Sequence, residues 1–160
     1  MNLLSKSIDL WRQIIATLPH SHPDYTASLD NLASALHTHY KESGDIDMLA
    51  ESICLHREAL ALLPHGHRNR SIWLGNLAGT LMTDYEQNSN IDAFTESIYL
   101  EREALALRPH GHPHRALSLG NLATSLRTDY NQSGDTDALT ECICLDRAAL
   151  ELHQEWPIGP

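Results

Sequence analysis

Histidines recur in pairs along this chain: His20-x-His22, His65-x-His67 and His110-x-His112-Pro113-His114, each directly after a proline (Pro19, Pro64, Pro109). Imidazole is the commonest metal ligand, and stacked loops could bring neighbouring pairs together. A tetrahedral site needs Cys or Asp partners at a recognised spacing, and none accompanies them. Loop packing and hydrogen bonding at helix starts is the plainer chemistry. Cys142-x-Cys144 places two thiols on different sides of a helix, which suits small core or interface residues better than a shared metal. Arg57, Arg102 and Arg147 recur in one register, most simply to pair with carboxylates, with an acidic-peptide site as the lesser reading. Gly-Asp-x-Asp offers too few ligands, wrongly spaced, for a calcium loop. No nucleophile–base–orienter set assembles, and no glycine-rich phosphate loop follows a strand. The chain is not expected to be an enzyme or to carry a metal or cofactor.

What must position these residues is a repeat. Asn31-Leu32-Ala33 returns as Asn76-Leu77-Ala78 and Asn121-Leu122-Ala123, at a spacing of 45 residues. Leu36/Leu81/Leu126, Tyr40/Tyr85/Tyr130, Asp47/Asp92/Asp137 and Glu51/Glu96/Glu141 keep the same register. A fixed period of this size means one supersecondary unit stacked on copies of itself.

Each unit reads as two helices. Leu29, Leu32, Ala33 and Leu36 fall at i, i+3, i+4 and i+7, an amphipathic helical stripe that recurs as Leu74/Leu77/Ala78/Leu81 and Leu119/Leu122/Ala123/Leu126. The small residue in each stripe lets a neighbouring helix approach. Pro23 and Pro113 are placed to begin a first helical turn. Gly44 and Gly134 supply a left-handed closing residue. Asp45, Asn90 and Asp135 then act as N-caps of the second helix, with Asp47, Asp92 and Asp137 facing its positive dipole end. The second helix carries Ile53, Leu55, Ala59, Leu60 and Leu62 on more than one face, as a helix contacting both its partner and the next unit must.

Ser7-Ile8-Asp9-Leu10 aligns with Ser52-Ile53-Cys54-Leu55, so the chain opens with a lone second helix. The expected layout is a single repeat domain over 1–155: a half unit at 1–19, full units at 20–64, 65–109 and 110–155, then a tail at 156–160. The fold class is an all-α, right-handed α-solenoid of antiparallel hairpins with about seven helices. Neither end carries a clear polar capping helix, so end-to-end self-association, or excision from a longer array, is expected.

The formal charge is −10, and only Lys6 and Lys41 among eleven basic residues are lysines. That balance argues against nucleic acid, which requires a basic footprint. Three cysteines without a pairing pattern indicate a reducing, cytoplasmic setting. No stretch approaches the roughly 20 apolar residues of a membrane span.

The pattern Leu-x-Asn-Leu-Ala-x-x-Leu, a small residue at Ser52/Ser97/Cys142, Ala at 59/104/149 and Pro at 64/109 resembles a tetratricopeptide repeat through Leu152. The longer unit, with its His-Arg-Glu-Ala-Leu-Ala-Leu and Pro-His-Gly-His-Pro elements, is similar to the extended tetratricopeptide-like arrays of fungal proteins, often joined to CHAT protease or nucleotide-binding domains, and to kinesin light chain repeats. The ordinary unit is about 34 residues, so this one is longer. Leucines replace the first helix's aromatic signature. His56, Glu101 or Asp146 stands where the second helix commonly has an aromatic. In kinesin-light-chain-like repeats an asparagine precedes the Asn of this motif and grips peptide backbone; here Asp30, Gly75 and Gly120 occupy that place.

The resemblance implies a concave groove lined by first-helix positions: Asp30, Ser34, His37 and Thr38; Gly75, Gly79, Met82 and Thr83; Gly120, Thr124, Arg127 and Thr128. These positions carry little bulk, which leaves room for a ligand or permits tight curvature. The ladder Asn31/Asn76/Asn121 reads as structural, each amide bonding a backbone group on the adjacent helix, or alternatively as amides offered to an extended peptide. The function expected is a non-catalytic scaffold holding a protein or peptide in that groove. The alternatives are a structural or regulatory spacer docking onto an effector domain of a longer protein, and a metal- or pH-responsive module built on the connector histidines.

Overall fold

The structure is a computed structural model that describes residues 3–154, with side chains described through residue 152. The expected tail at 156–160 lies outside the described residues. Seven α-helices and no strand occupy them: α1 (Leu3–Thr17), α2 (Tyr25–Ser43), α3 (Ile46–Leu62), α4 (Arg70–Asn88), α5 (Ile91–Ala106), α6 (Arg115–Ser133) and α7 (Thr136–Gln154). The all-helical reading therefore holds, and the helices recur with the sequence period.

The leucine stripes explain why. Leu29, Leu32, Ala33 and Leu36 are all buried, as are Leu74, Leu77, Ala78 and Leu81, and Leu119, Leu122, Ala123 and Leu126. Removing each leucine from water is worth about 1.5–3 kcal/mol, so these faces drive the packing. Ala33 and Ser52 are both at 0% exposure, and Ser52 Oγ donates to Ala33 O at 2.7 Å. The small pair thus brings α2 and α3 close enough for a hydroxyl to reach across. Cys142 Sγ repeats this contact to Ala123 O at 3.1 Å between α7 and α6.

Two residues separate the helices of a hairpin, and their chemistry sets the reversal. α2, α4 and α6 each close on a left-handed residue, Gly44 (φ 72°), Ser89 (φ 54°) and Gly134 (φ 74°), whose N–H donates to the carbonyl of Tyr40, Tyr85 or Tyr130. The N-caps follow as read from the sequence. Asp45 Oδ1 accepts from Asp47 N, Asn90 Oδ1 from Ala93 N and Asp135 Oδ1 from Asp137 N. These bonds satisfy backbone donors that a helix start leaves open.

Pro23 and Pro113 do not open helices. They sit in the preceding turns, where His22 N–H donates to Pro19 O and His112 N–H to Pro109 O, and α2 and α6 begin two residues later. Leu62 is half exposed at the last helical position, and Leu63 is the buried residue at that end.

The packing falls into two compact units, residues 1–97 and 98–160. In the first, α1 packs on α2, α2 on α3 and α3 on α4. One cluster joins Ile8 to Leu32 and Leu36; another joins Tyr25, Leu29, Ala59, Leu63 and Trp73. The first turns of α5 belong to this unit, with Phe94 against Tyr85 at a ring separation of 4.5 Å. In the second unit, α6 and α7 form a hairpin. Beside it lies the rest of α5, whose Arg102 reaches Glu141 on α7.

Candidate functional site

The first-helix positions divide into buried and open residues. Asp30 is buried, and its carboxylate is taken up inside the first unit: Oδ1 receives His56 Nδ1 at 2.9 Å, and the carboxylate receives Asn76 Nδ2 at 3.1 and 3.3 Å. Asn76 thus bonds a side-chain carboxylate on α2 rather than the backbone group expected of the ladder. Asn31 and Asn121 are exposed. The amides do not form a uniform row, because only α2 places an acid opposite the next unit's asparagine.

A second polar contact lies two turns further along the same two helices. His37 Nε2 sits 2.9 Å from Thr83 Oγ1, which itself donates to Gly79 O. The imidazole is therefore the donor. Thr80 Oγ1 is 3.4 Å from His37 Nδ1. Burial, followed by Lys41 and then His56, pulls the His37 pKa down to about 4, so the ring is neutral at ordinary pH. Asp30, His37 and Thr83 are hence joints between α2 and α4 and not free groove walls.

What remains open is small. Thr38, Gly79, Thr124 and Arg127 are exposed, and Ser34, Gly75, Met82, Gly120 and Thr128 are half-buried. A Cβ added at Gly79 or at Gly120 would meet nothing within 4 Å. The threonine hydroxyls turn inward to their own helix, Thr38 to Ser34 O, Thr124 to Gly120 O and Thr128 to Thr124 O. Around the threonines and glycines the outward surface is left to methyl groups and glycine backbone, beside the longer side chains of Met82 and Arg127. Arg127 lies 3.9 Å from Asp146 on α7.

The connector histidines have local work. In each turn the second histidine accepts a backbone N–H through Nδ1: His22 from Asp24 N at 3.1 Å, His67 from Asn69 N at 3.2 Å and His112 from His114 N at 3.1 Å. An Nδ1 that accepts must be unprotonated. Among the described residues, no three His, Cys, Asp or Glu side chains gather as a metal-binding group. Cys54 and Cys144 are exposed, so only Cys142 is a core thiol, its pKa raised chiefly by burial.

Two features escape a residue-by-residue reading. Arg12, Arg57 and Arg102 each bond a glutamate 39 residues onward, Glu51 at 2.7 Å, Glu96 at 2.5 Å and Glu141 at 2.6 Å, linking each second helix to the next. The recurrence of both residues signalled the pairing, but only the packing gives the offset. The other feature is Glu101, whose Oε2 is buried without a hydrogen-bond partner. Burial pushes its pKa up to about 7, against the opposing bond from Ser125.

No helix among the described residues is long and apolar enough to cross a membrane. No protein-family model matches the chain, and none of the curated proteins does. Among solved structures it is similar to a Podosopora anserina protein described as a kinesin light chain with nearly identical TPR-like repeats. A single-substitution variant of that protein gives a TM-score of 0.70 at 22% identity, covering 96% of this chain and 68% of that one. A second structure of it gives 0.68 at 22%, covering 95% and 68%. The chain has the fold of these TPR-like repeats.

Proposed function

We propose that this chain is a non-catalytic protein-interaction scaffold that holds a peptide or a helix along the open faces of its first-type helices. The observation that carries this reading is the low-bulk surface at Thr38 and Gly79 in the first unit and at Gly120, Thr124 and Thr128 in the second. Each is backed by fully buried leucines. Glycine and inward-bonded threonine leave room for a ligand backbone, while the leucines behind them hold the helices still. The apolar methyl groups and the exposed Arg127 then select the ligand by shape and charge. With a formal charge of −10, a neutral or basic ligand is favoured. A cytoplasmic location fits the unpaired cysteines.

The experiment is selection from a random peptide library, followed by photo-cross-linking from a benzophenone side chain placed at Thr38. Capture of the selected peptide from Thr38, and not from a control position at Asp47 on α3, is the expected result. Equal capture from both would show that the ligand does not use this face.

The spacer reading keeps one observation in its favour. The polar joints Asp30–Asn76 and His37–Thr83 fix α2 against α4, as a rigid strut requires. A library that yields no ligand, together with gain of stability on fusion to a flanking domain, would favour it.

A further inference from the structure

The second helices share a stripe whose arginine has the same fate in every unit but one, an ion pair with the next second helix. On α1 it is Ile8, Arg12 and Ile15; Ile8 is buried against Leu32 and Leu36 of α2, and Arg12 bonds Glu51 of α3. On α3 it is Ile53, Arg57 and Leu60, with Ile53 and Leu60 half-buried on a helix that packs against α4, and Arg57 bonds Glu96 of α5. On α5 it is Ile98, Arg102 and Leu105, and Arg102 bonds Glu141 of α7. The corresponding stripe on α7 is Ile143, Arg147 and Leu150. Ile8 and Ile98 are 4% and 8% exposed, whereas Ile143 is 43% and Leu150 58% exposed. Arg147 is exposed and has no ion-pair partner among the described residues.

We infer that this face of α7 is a docking surface for a helical hairpin of the same chemistry. Such a hairpin brings a leucine stripe on its first helix over Ile143 and Leu150, and a carboxylate on its second helix to Arg147. The surface continues an interface built three times already in this molecule, and the guanidinium supplies the charge that selects the occupant. A second copy of the chain does not fit. The position on α1 that corresponds to Glu51, Glu96 and Glu141 is Lys6, exposed. Copies joined in register would set Lys6 against Arg147, two cations at the contact where every internal joint has a cation and an anion. The occupant is an acidic hairpin distinct from the start of this chain.

The test uses the full chain and, as probe, a peptide of residues 20–64, the hairpin that covers the α1 stripe. Titration is expected to give saturable binding. Ile143→Asp should weaken it at least tenfold, roughly the burial of one isoleucine. Arg147→Glu should weaken it by about threefold or more, the scale of an exposed ion pair, with recovery when the probe carries Glu51→Arg. If the isolated hairpin frays too much to bind, the same segment inserted between Gln154 and Glu155 decides the matter. Its amide hydrogens should be protected from exchange, and the protection should fall with Ile143→Asp. Binding or protection indifferent to both substitutions overturns the proposal. So does a wild-type dimer, seen by sedimentation, that Ile143→Asp dissolves.

Discussion

His56 on α3 and Asp30 on α2 meet at 2.9 Å in the interior of the first hairpin, both buried, with Asn76 of α4 completing the acid's bonds. Their counterparts are Gly75 with Glu101 and Gly120 with Asp146, so this joint belongs to one unit alone. A buried polar group that loses its partner costs about 1–3 kcal/mol. Asp30→Ala should therefore destabilise the chain by about that much in urea unfolding. Adding His56→Leu removes the stranded imidazole and should recover most of the loss. A single substitution as harmless as the double would show that the pair contributes nothing.

Ser89 holds a left-handed conformation at φ 54°, where the equivalent turns have Gly44 and Gly134. A side chain in that region costs roughly 1 kcal/mol that glycine avoids. Ser89→Gly should raise the melting temperature, and Gly44→Ala should lower it. Thermal unfolding by circular dichroism reads both.

Leu77 is 1% exposed in the middle of the α4 stripe. Leu77→Ala should cost about 2–5 kcal/mol, the transfer and cavity terms together. Ile72, on the same helix but 41% exposed, serves as the control. Ile72→Ala should change stability by less than about 0.5 kcal/mol.

Glu101 gives the stability a pH dependence of known sign. Its pKa of about 7 in the folded chain stands above its ordinary value of 4.5. The folded state therefore binds the proton more tightly than the unfolded one, and stability falls as pH rises from about 4.5 to about 7. Glu101→Gln should remove that fall, leaving pH 4 stability nearly unchanged and raising stability at pH 8. His37, lowered to about 4, acts in the opposite direction over the range below its ordinary 6.5, so the comparison must be made between Glu101→Gln and wild type at each pH. A difference between them that does not vary with pH would contradict the assignment.

Sequence periodicity reveals the helices because the three leucine stripes obey a local rule: each must bury the same face. The caps were equally legible, since Gly44, Asp45 and their counterparts act within a few residues of themselves. Long-range joints were not. Asp30 and His56 each look like a departure from the repeat pattern, and only packing shows that one departure compensates the other. The offset of the Arg–Glu pairs depends on how one hairpin seats on the next, which no single unit encodes. For the same reason Asp30 and Thr83, whose place on the first helix assigns them to the groove, are buried contacts. Their spacing assigns a helix face but not which part of that face the neighbouring helix covers.

The most direct test of the scaffold reading is a titration of a library-selected peptide into the wild-type chain and into Gly79→Trp. Space around Gly79 is open, so the indole should leave the fold and melting temperature intact while filling the surface a ligand would occupy. Loss of binding by at least tenfold, with unfolding unchanged, is the outcome expected if the α4 face is the seat of the ligand. Undiminished affinity in a folded Gly79→Trp chain would contradict it.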